Sequence, residues 1–175
     1  PPLPHFTPTK KLSLEVDPVQ MDGADPSQLE RHQRRLEDYT LRLIDRLASP
    51  PLLSRIPREL RAVCGFILEQ TSRVLPGMEG TMIGGCLFLR FVNPALVTPE
   101  QFDLMPRGTV LSGKARRNLV LISKMMQALA NEAKSAASSK ESFMEPFRPF
   151  MARVQPRVMQ LLIDIARDPT RKQKP

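Results

Sequence analysis

Arg90 and Asn93 are the polar residues of a segment that is otherwise apolar or proline, CLFLRFVNPALV, at positions 86–97. An arginine is always charged and carries five N–H donors. If Arg90 is buried, it must meet a carboxylate, backbone carbonyls or an incoming partner, because an unpaired buried guanidinium is strongly unfavourable. A helix over 80–92, ended by Asn93-Pro94, would place Arg90 near its C-terminus on one face with three apolar residues, Ile83, Cys86 and Leu87. The pattern fits an arginine that ties a loop to a helical core, or one held at a binding groove.

A second polar group is predicted on the helix that follows Ser112, a candidate N-cap. Lys124, Gln127 and Asn131 recur at helical spacing and form a polar strip. The strip lies beside an apolar stripe made of Ala115, Leu119, Ile122, Met126, Leu129 and Ala133. Such a helix can pack on a core and still offer hydrogen bonds to a partner, although ordinary exposed polar residues would give the same pattern.

The elements that must position these residues are also helical. One helix is predicted after Ser27, with Glu30 completing a capping box, and another starts at Pro57. A final helical region carries Phe143, and Pro149 and Pro156 should kink or divide it. Since no alternating strand pattern of any strength appears, we expect an all-α, bundle-like domain of about five helices with a proline-rich N-terminal arm. The expected boundaries are an arm over 1–18, a helical domain over 19–167 and a frayed basic tail over 168–175.

The composition excludes several functions. Lysine and arginine number 26 against 18 acidic residues, a net charge of +8, which favours an acidic partner. Aromatic residues are only 5% and tryptophan is absent, which argues against nucleic-acid binding by base stacking. No apolar run approaches the ~20 residues that span a bilayer. No nucleophile motif or phosphate-binding loop is present, so catalysis by the chain itself is not supported.

The histidines and cysteines are too few and too dispersed for a metal site, and we expect none. Cys64 and Cys86 are expected to be small buried hydrophobes in a reducing compartment. The sequence leaves open a disulfide between them.

Five blocks of the sequence resemble the Ras GTPase-activating domain, and the neurofibromin-like branch of that family in particular. FLRFVNPALVTP (88–99) resembles the family signature, and RRNLVLISKMMQALAN (116–131) resembles its second conserved helix. Three further segments are resembled by SLEVDP (13–18), IPRELRAVC (56–64) and KESFMEPFRPF (140–150), so the resemblance runs from about Ser13 to Thr170. The family's catalytic arginine finger lies upstream of the SLEVDP-like segment. Nothing before Ser13 resembles that loop, so we expect the chain to be the C-terminal portion of the domain and to activate weakly or not at all by itself.

The resemblance implies roles for particular residues. Arg90 would be a secondary arginine that steadies the loop bearing the finger, rather than the finger itself. Leu89 would line the GTPase-contacting groove, and Asn93 and Pro94 would shape the turn beside it. Lys124 would face the GTPase, with Gln127 and Asn131 near the same surface.

The implied function is therefore activation of a Ras-family small GTPase, in which the GTPase carries GTP and Mg²⁺ and this chain needs no cofactor. The chain would be an activator of GTP hydrolysis rather than an enzyme in its own right. The alternative is a scaffold module of the same fold that binds a GTPase without activating it. We expect a cytoplasmic protein without nucleic-acid partners, brought near the inner face of the plasma membrane only through its partner or further domains. The identity of the GTPase, Ras or Rap, is left open.

Overall fold

The computed structural model describes residues 12–21, 25–131 and 142–167. Its α-helices are α1 (Pro26–Leu47), α2 (Pro50–Leu53), α3 (Arg58–Val74), α4 (Glu79–Leu87), α5 (Asn93–Val97), α6 (Gly113–Ala130) and α7 (Arg148–Ala166). A π-turn, Phe88–Val92, joins α4 to α5, and short 3₁₀ turns cover Pro18–Gln20, Pro99–Phe102 and Ser142–Phe147. These residues contain no strand, which confirms the all-α fold, and five of the helices have nine residues or more, as the sequence predicts. Ala133, the last residue of the predicted apolar stripe, and the predicted tail lie outside the described residues.

Helix starts agree with the sequence except at α1. Ser112 caps α6 as predicted, and its hydroxyl accepts the Ala115 N–H at 3.2 Å. The N-cap of α1 is Asp25 rather than Ser27, because the Asp25 carboxylate accepts the Ser27 N–H at 3.1 Å and Pro26 takes the first helical position. The predicted capping box with Glu30 is therefore not formed.

The helices are not divided at the prolines that the sequence predicts to interrupt them. Pro149 lies in the first turn of α7, where a missing N–H leaves no helical bond unmade, and α7 runs on through Pro156 without dividing. Asn93-Pro94 was expected to end a helix, but the π-turn carries the helix past it to Val97.

The continuous helix Glu79–Val97 is long and apolar enough to cross a membrane by length and composition alone, with 19 residues and a mean hydropathy of 1.4. The sequence predicts no apolar run of that length and predicts that the helix ends at Asn93. A core helix of a soluble protein passes the same test, and α4 packs against α3, α6 and α7. Length and composition therefore do not distinguish a spanning helix from a core helix here.

The core lies between α4, α6 and α7, with contributions from α1 and α3. The fully buried α1 positions are Leu36, Thr40 and Ile44, whereas Leu29, Tyr39, Leu43 and Leu47 pack only partly against the core. Part of the predicted arm also belongs to the core, since Leu14 and Val16 are each 1% exposed. The side chain of Asn118 on α6 holds this irregular segment by accepting the Leu14 N–H at 2.9 Å and donating to the Leu12 carbonyl at 3.1 Å.

Candidate functional site

The π-turn at Phe88–Val92 determines which side chains of the family-like motif reach the surface. In this turn the Asn93 N–H donates to the Phe88 carbonyl, five residues back instead of four. Pro94 accounts for the wider turn, because its ring would clash with the carbonyl of residue 90 in an α-helix and it has no N–H to donate. The buried positions accordingly step from Phe88 to Asn93, a spacing of five. Single π-turns inside α-helices occur frequently at functional sites.

Arg90 is consequently exposed, and the prediction that it shares the buried face of Ile83 and Leu87 is wrong. It makes no hydrogen bond or ion pair with another residue in the described part of the chain. The structure thus contains no brace between Arg90 and the neighbouring described segments. Its neighbours Leu89 and Phe91 are 44% and 49% exposed, so a cation and two large apolar side chains stand together at the surface.

Asn93 lies on the opposite, inner side of this turn. It is 7% exposed, and neither its side-chain oxygen nor its side-chain nitrogen has a hydrogen-bond partner. A buried polar group without a partner costs about 1–3 kcal/mol. Pro94 contributes to the helix end, because its carbonyl accepts both the backbone N–H and the hydroxyl of Thr98, at 2.9 and 3.0 Å. The predicted turn at Asn93-Pro94 therefore lies one helical turn later, at Thr98.

The second predicted group lies on α6, which packs against both the π-turn and α5. Lys124 is partly buried, and its ammonium nitrogen is 5.5 Å from the centroid of the Phe143 ring. Gln127 is exposed. Asn131 forms the C-cap of α6, and its backbone carbonyl accepts a 3.0 Å hydrogen bond from the Gln155 side chain on α7. The two groups of predicted residues are thus placed on elements that contact each other.

Two neighbouring arginines near the start of α6 fasten other segments: Arg116 holds the loop between α5 and α6, and Arg117 holds the N-terminal segment. Arg116 donates to the Val97 carbonyl at 2.7 Å and to the Glu100 carboxylate, which lowers the pKa of Glu100. Arg117 pairs with Glu15 at 2.7 Å. Both side chains are therefore used inside the chain, whereas Arg107 and Lys114 remain exposed.

Among the described residues there is no group of three or more histidine, cysteine or acidic side chains that could hold a metal ion. Cys64 and Cys86 are both free thiols. Cys64 is buried, and burial raises its pKa to about 11, so it is a neutral core residue at physiological pH. Among the described residues, the site around the π-turn and α6 consists of cationic, amide and apolar side chains.

Sequence reasoning missed Phe143 as a site residue and took it only as an apolar position. The signal was present, since Phe143 lies inside the family-like block over 140–150. Its contact with Lys124 joins the block over 116–131 to the block over 140–150.

Residues 5–131 match the family model described as GTPase-activator protein for Ras-like GTPase. The chain is 30% identical over 169 residues to neurofibromin-A of Dictyostelium discoideum, a match that covers 90% of this chain and 18% of the relative. It is 32% identical over 162 residues to the Disabled homolog 2-interacting protein of Homo sapiens, covering 90% and 13%. A similar match, 32% over 160 residues, covers 88% of this chain and 12% of the Ras GTPase-activating protein gap-2 of Caenorhabditis elegans.

A helical fold with an exposed Leu-Arg pair at the signature motif, together with a family match over most of the chain, defines the class. The chain belongs to the family of GTPase activators for Ras-like GTPases. Neurofibromin-A is among its relatives, as the neurofibromin-like blocks predicted. The chain spans less than a fifth of the length of each of these three relatives.

Proposed function

We propose that this chain is part of a Ras GTPase-activating domain and that the exposed π-turn and the adjoining face of α6 contact the GTPase. The observation that carries the proposal is the exposure of Leu89, Arg90 and Phe91 on a turn that packs against the helix bearing Lys124 and Gln127. An apolar surface with a cation at its centre suits a protein partner whose binding face carries acidic groups.

Hydrolysis of GTP develops negative charge on the transferring phosphoryl oxygens, and an arginine supplied by an activating protein stabilises that charge, an effect of about 10⁵-fold in rate for Ras. Such an arginine is most effective when it is held in place before the reaction. Arg90 is the secondary arginine in this proposal. Its free guanidinium would donate to backbone carbonyls of the segment that bears the catalytic arginine, so that the segment is fixed against the nucleotide.

The remaining residues have supporting roles. Leu89 and the Lys124–Gln127 side of α6 would contact the GTPase. Asn131, at the C-terminal end of α6, would lie at the edge of the contact surface. Asn93 and Pro94 would hold the turn in its π form. GTP and Mg²⁺ would be bound by the GTPase, and this chain would bind no cofactor. The protein would work in the cytoplasm, close to the inner face of the plasma membrane when its GTPase is there.

The test is single-turnover GTP hydrolysis by purified Ras and Rap GTPases in the presence of the complete parent protein. The parent protein is needed because this chain is a small part of its relatives' length. We expect Arg90→Ala to lower the stimulated rate by about 10- to 150-fold, the equivalent of one hydrogen bond to a charged group. The matched control is Arg34→Ala, which removes an exposed arginine from α1 where only an i,i+4 pair with Glu30 is lost.

Each outcome selects one interpretation. Stimulation by the wild type that Arg90→Ala leaves intact would refute the role of Arg90. Tight binding of the GTP-loaded GTPase without any stimulation would establish the alternative, a scaffold that binds the GTPase without activating it. Neither binding nor stimulation with either GTPase would refute the proposal as a whole.

A further inference from the structure

The contact between Lys124 and Phe143 joins two separate elements of the bundle. Lys124 lies in the middle of α6, and Phe143 is the second residue of the 3₁₀ turn Ser142–Phe147 that leads into α7. Two other cation–ring contacts occur in the described residues, Arg42 over Tyr39 and Arg153 over Phe150, and each lies within one helix at a spacing of three. Of these three contacts between described residues, that of Lys124 is the one that joins a side chain to a ring from another element.

The Phe143 ring is itself held in place. The next residue, Met144, is 7% exposed, and Phe147 at the end of the same turn is completely buried. Both anchor the turn in the core, and Phe143 is partly buried against that core. The ring therefore offers a fixed, electron-rich face to the ammonium group above it.

Lysine needs such support more than arginine does. Its charge is a compact ammonium at the end of a flexible four-carbon stem, and it has no planar fork to orient it. A ring at 5.5 Å restricts the stem, and because Lys124 as a residue is only partly buried it can still reach a partner.

We propose that Phe143 is a positioning residue, which holds the Lys124 ammonium in the orientation that the GTPase contacts. This inference rests on the proposed function, because it assigns a partner to Lys124. It adds that the 3₁₀ turn before α7 takes part in GTPase recognition although Phe143 itself need not touch the GTPase.

The experiment is a double-mutant cycle in the complete parent protein, measured as the dissociation constant for a Ras GTPase loaded with a non-hydrolysable GTP analogue. Phe143→Leu keeps an apolar side chain but removes the ring, and we expect binding about 2- to 5-fold weaker, the effect of one cation–ring contact at an exposed site. Phe143→Tyr keeps the ring and should bind like the wild type. The double variant Lys124→Ala with Phe143→Leu should bind no more weakly than Lys124→Ala alone.

Two further measurements separate positioning from loss of structure. The melting temperature of each variant reports on folding, and Tyr39→Leu is the matched control, because it removes a ring beneath a cation on α1. NMR spectroscopy after carbon-13 methylation of the lysines detects the contact directly, because a methyl group above an aromatic ring has a shifted resonance. The Lys124 signal is assigned by its loss in Lys124→Ala. That signal should lie upfield in the wild type and in Phe143→Tyr, and it should move downfield in Phe143→Leu.

The outcomes distinguish this inference from the proposed function. Additive effects of the two substitutions, or a Lys124→Ala variant that binds normally, would overturn the role of Phe143 while GTPase binding by the wild type upholds the function. An unshifted Lys124 signal would overturn the contact itself. A wild type that binds no Ras-type GTPase would refute the proposed function, whatever the lysine signal shows.

Discussion

Gly84 is the residue at which α4 packs closely against both α6 and α7, and replacing it tests the packing that positions the candidate site. A Cβ atom built on Gly84 would lie 2.8 Å from the Ala130 Cβ on α6 and 3.1 Å from a methyl group of Leu162 on α7. Ordinary van der Waals contact begins at 3.4 Å. The Ala130 Cβ is fixed to its backbone and cannot rotate away, so Gly84→Ala must push α4 and α6 apart.

The adjacent Gly85 provides a matched control, because a Cβ built there meets nothing within 4 Å. Both glycines lie inside α4, and alanine is favoured over glycine in a helix by about 1 kcal/mol at each position. The difference between the two variants therefore removes the helix-propensity contribution and leaves the cost of overpacking, about 1–3 kcal/mol. We expect Gly85→Ala to be more stable than the wild type and Gly84→Ala to be less stable than Gly85→Ala by that amount.

The assay is thermal unfolding of both variants. For a domain of this size ~1 kcal/mol changes the melting temperature by ~3 °C, so the two melting temperatures should differ by about 3–9 °C. Binding of the GTPase should weaken in Gly84→Ala only, because α4 leads directly into Leu89 and Arg90, and Ala130 is followed by Asn131. Equal melting temperatures for the two variants would refute the close packing of α4 on α6.

Two further predictions concern stability. Replacing Asn93 with leucine removes a buried amide that has no hydrogen-bond partner among the described residues. The substitution should raise the free energy of unfolding by about 1 kcal/mol or more, measured by thermal unfolding. A lower melting temperature than the wild type would mean that the amide is hydrogen-bonded. Burial alone would raise the pKa of the Glu15 carboxyl, but the hydrogen bonds from Arg117 and from the neighbouring backbone N–H groups outweigh it and lower the pKa below 4.5. Glu15 therefore stabilises the fold above pH 4.5, and this contribution is lost as the pH falls through the lowered pKa. Urea unfolding between pH 3 and pH 7 should show a smaller loss of stability in Glu15→Gln than in the wild type, and identical pH profiles would contradict this role.

The helices could be predicted because their signals are local. Ser112 begins α6, and Pro57 lies immediately before α3, close to the predicted positions. Errors arose where two local signals competed. Ser27 and Asp25 are both good N-caps, and the sequence does not rank them, whereas the position of Pro26 in the first turn decides for Asp25.

The main error at the candidate site has one physical origin. A spacing of 3.6 residues was assumed across 80–92, and a proline was assumed to end the helix. A π-turn accommodates Pro94 by adding one residue to a turn, and that residue rotates Arg90 from the buried face to the surface. Periodicity within a single sequence cannot reveal this insertion, because the residues that flank Arg90 on both sides, Phe88, Leu89, Phe91 and Val92, are all apolar.

The family-like motifs pointed to the right elements but not to the state of each side chain. The motifs predicted that Arg90 and Lys124 lie on neighbouring elements, and α6 does pack against the π-turn. They gave no indication that Lys124 has a ring partner or that Arg90 has none among the described residues. Contacts between side chains from different blocks depend on the three-dimensional packing, which a single sequence does not specify directly.

The different surroundings of the two cations imply an order of events at the proposed interface. Arg90 is exposed without a partner in the described residues, so its guanidinium must lose most of about 2 kcal/mol of rotamer entropy when it binds. Lys124 has already lost part of that freedom at the Phe143 ring. A group that is ordered beforehand adds more to initial association, whereas a group ordered on contact contributes only after its own partner is in place. Lys124 should therefore govern the affinity for the GTP-loaded GTPase, and Arg90 should govern the rate of hydrolysis within the complex.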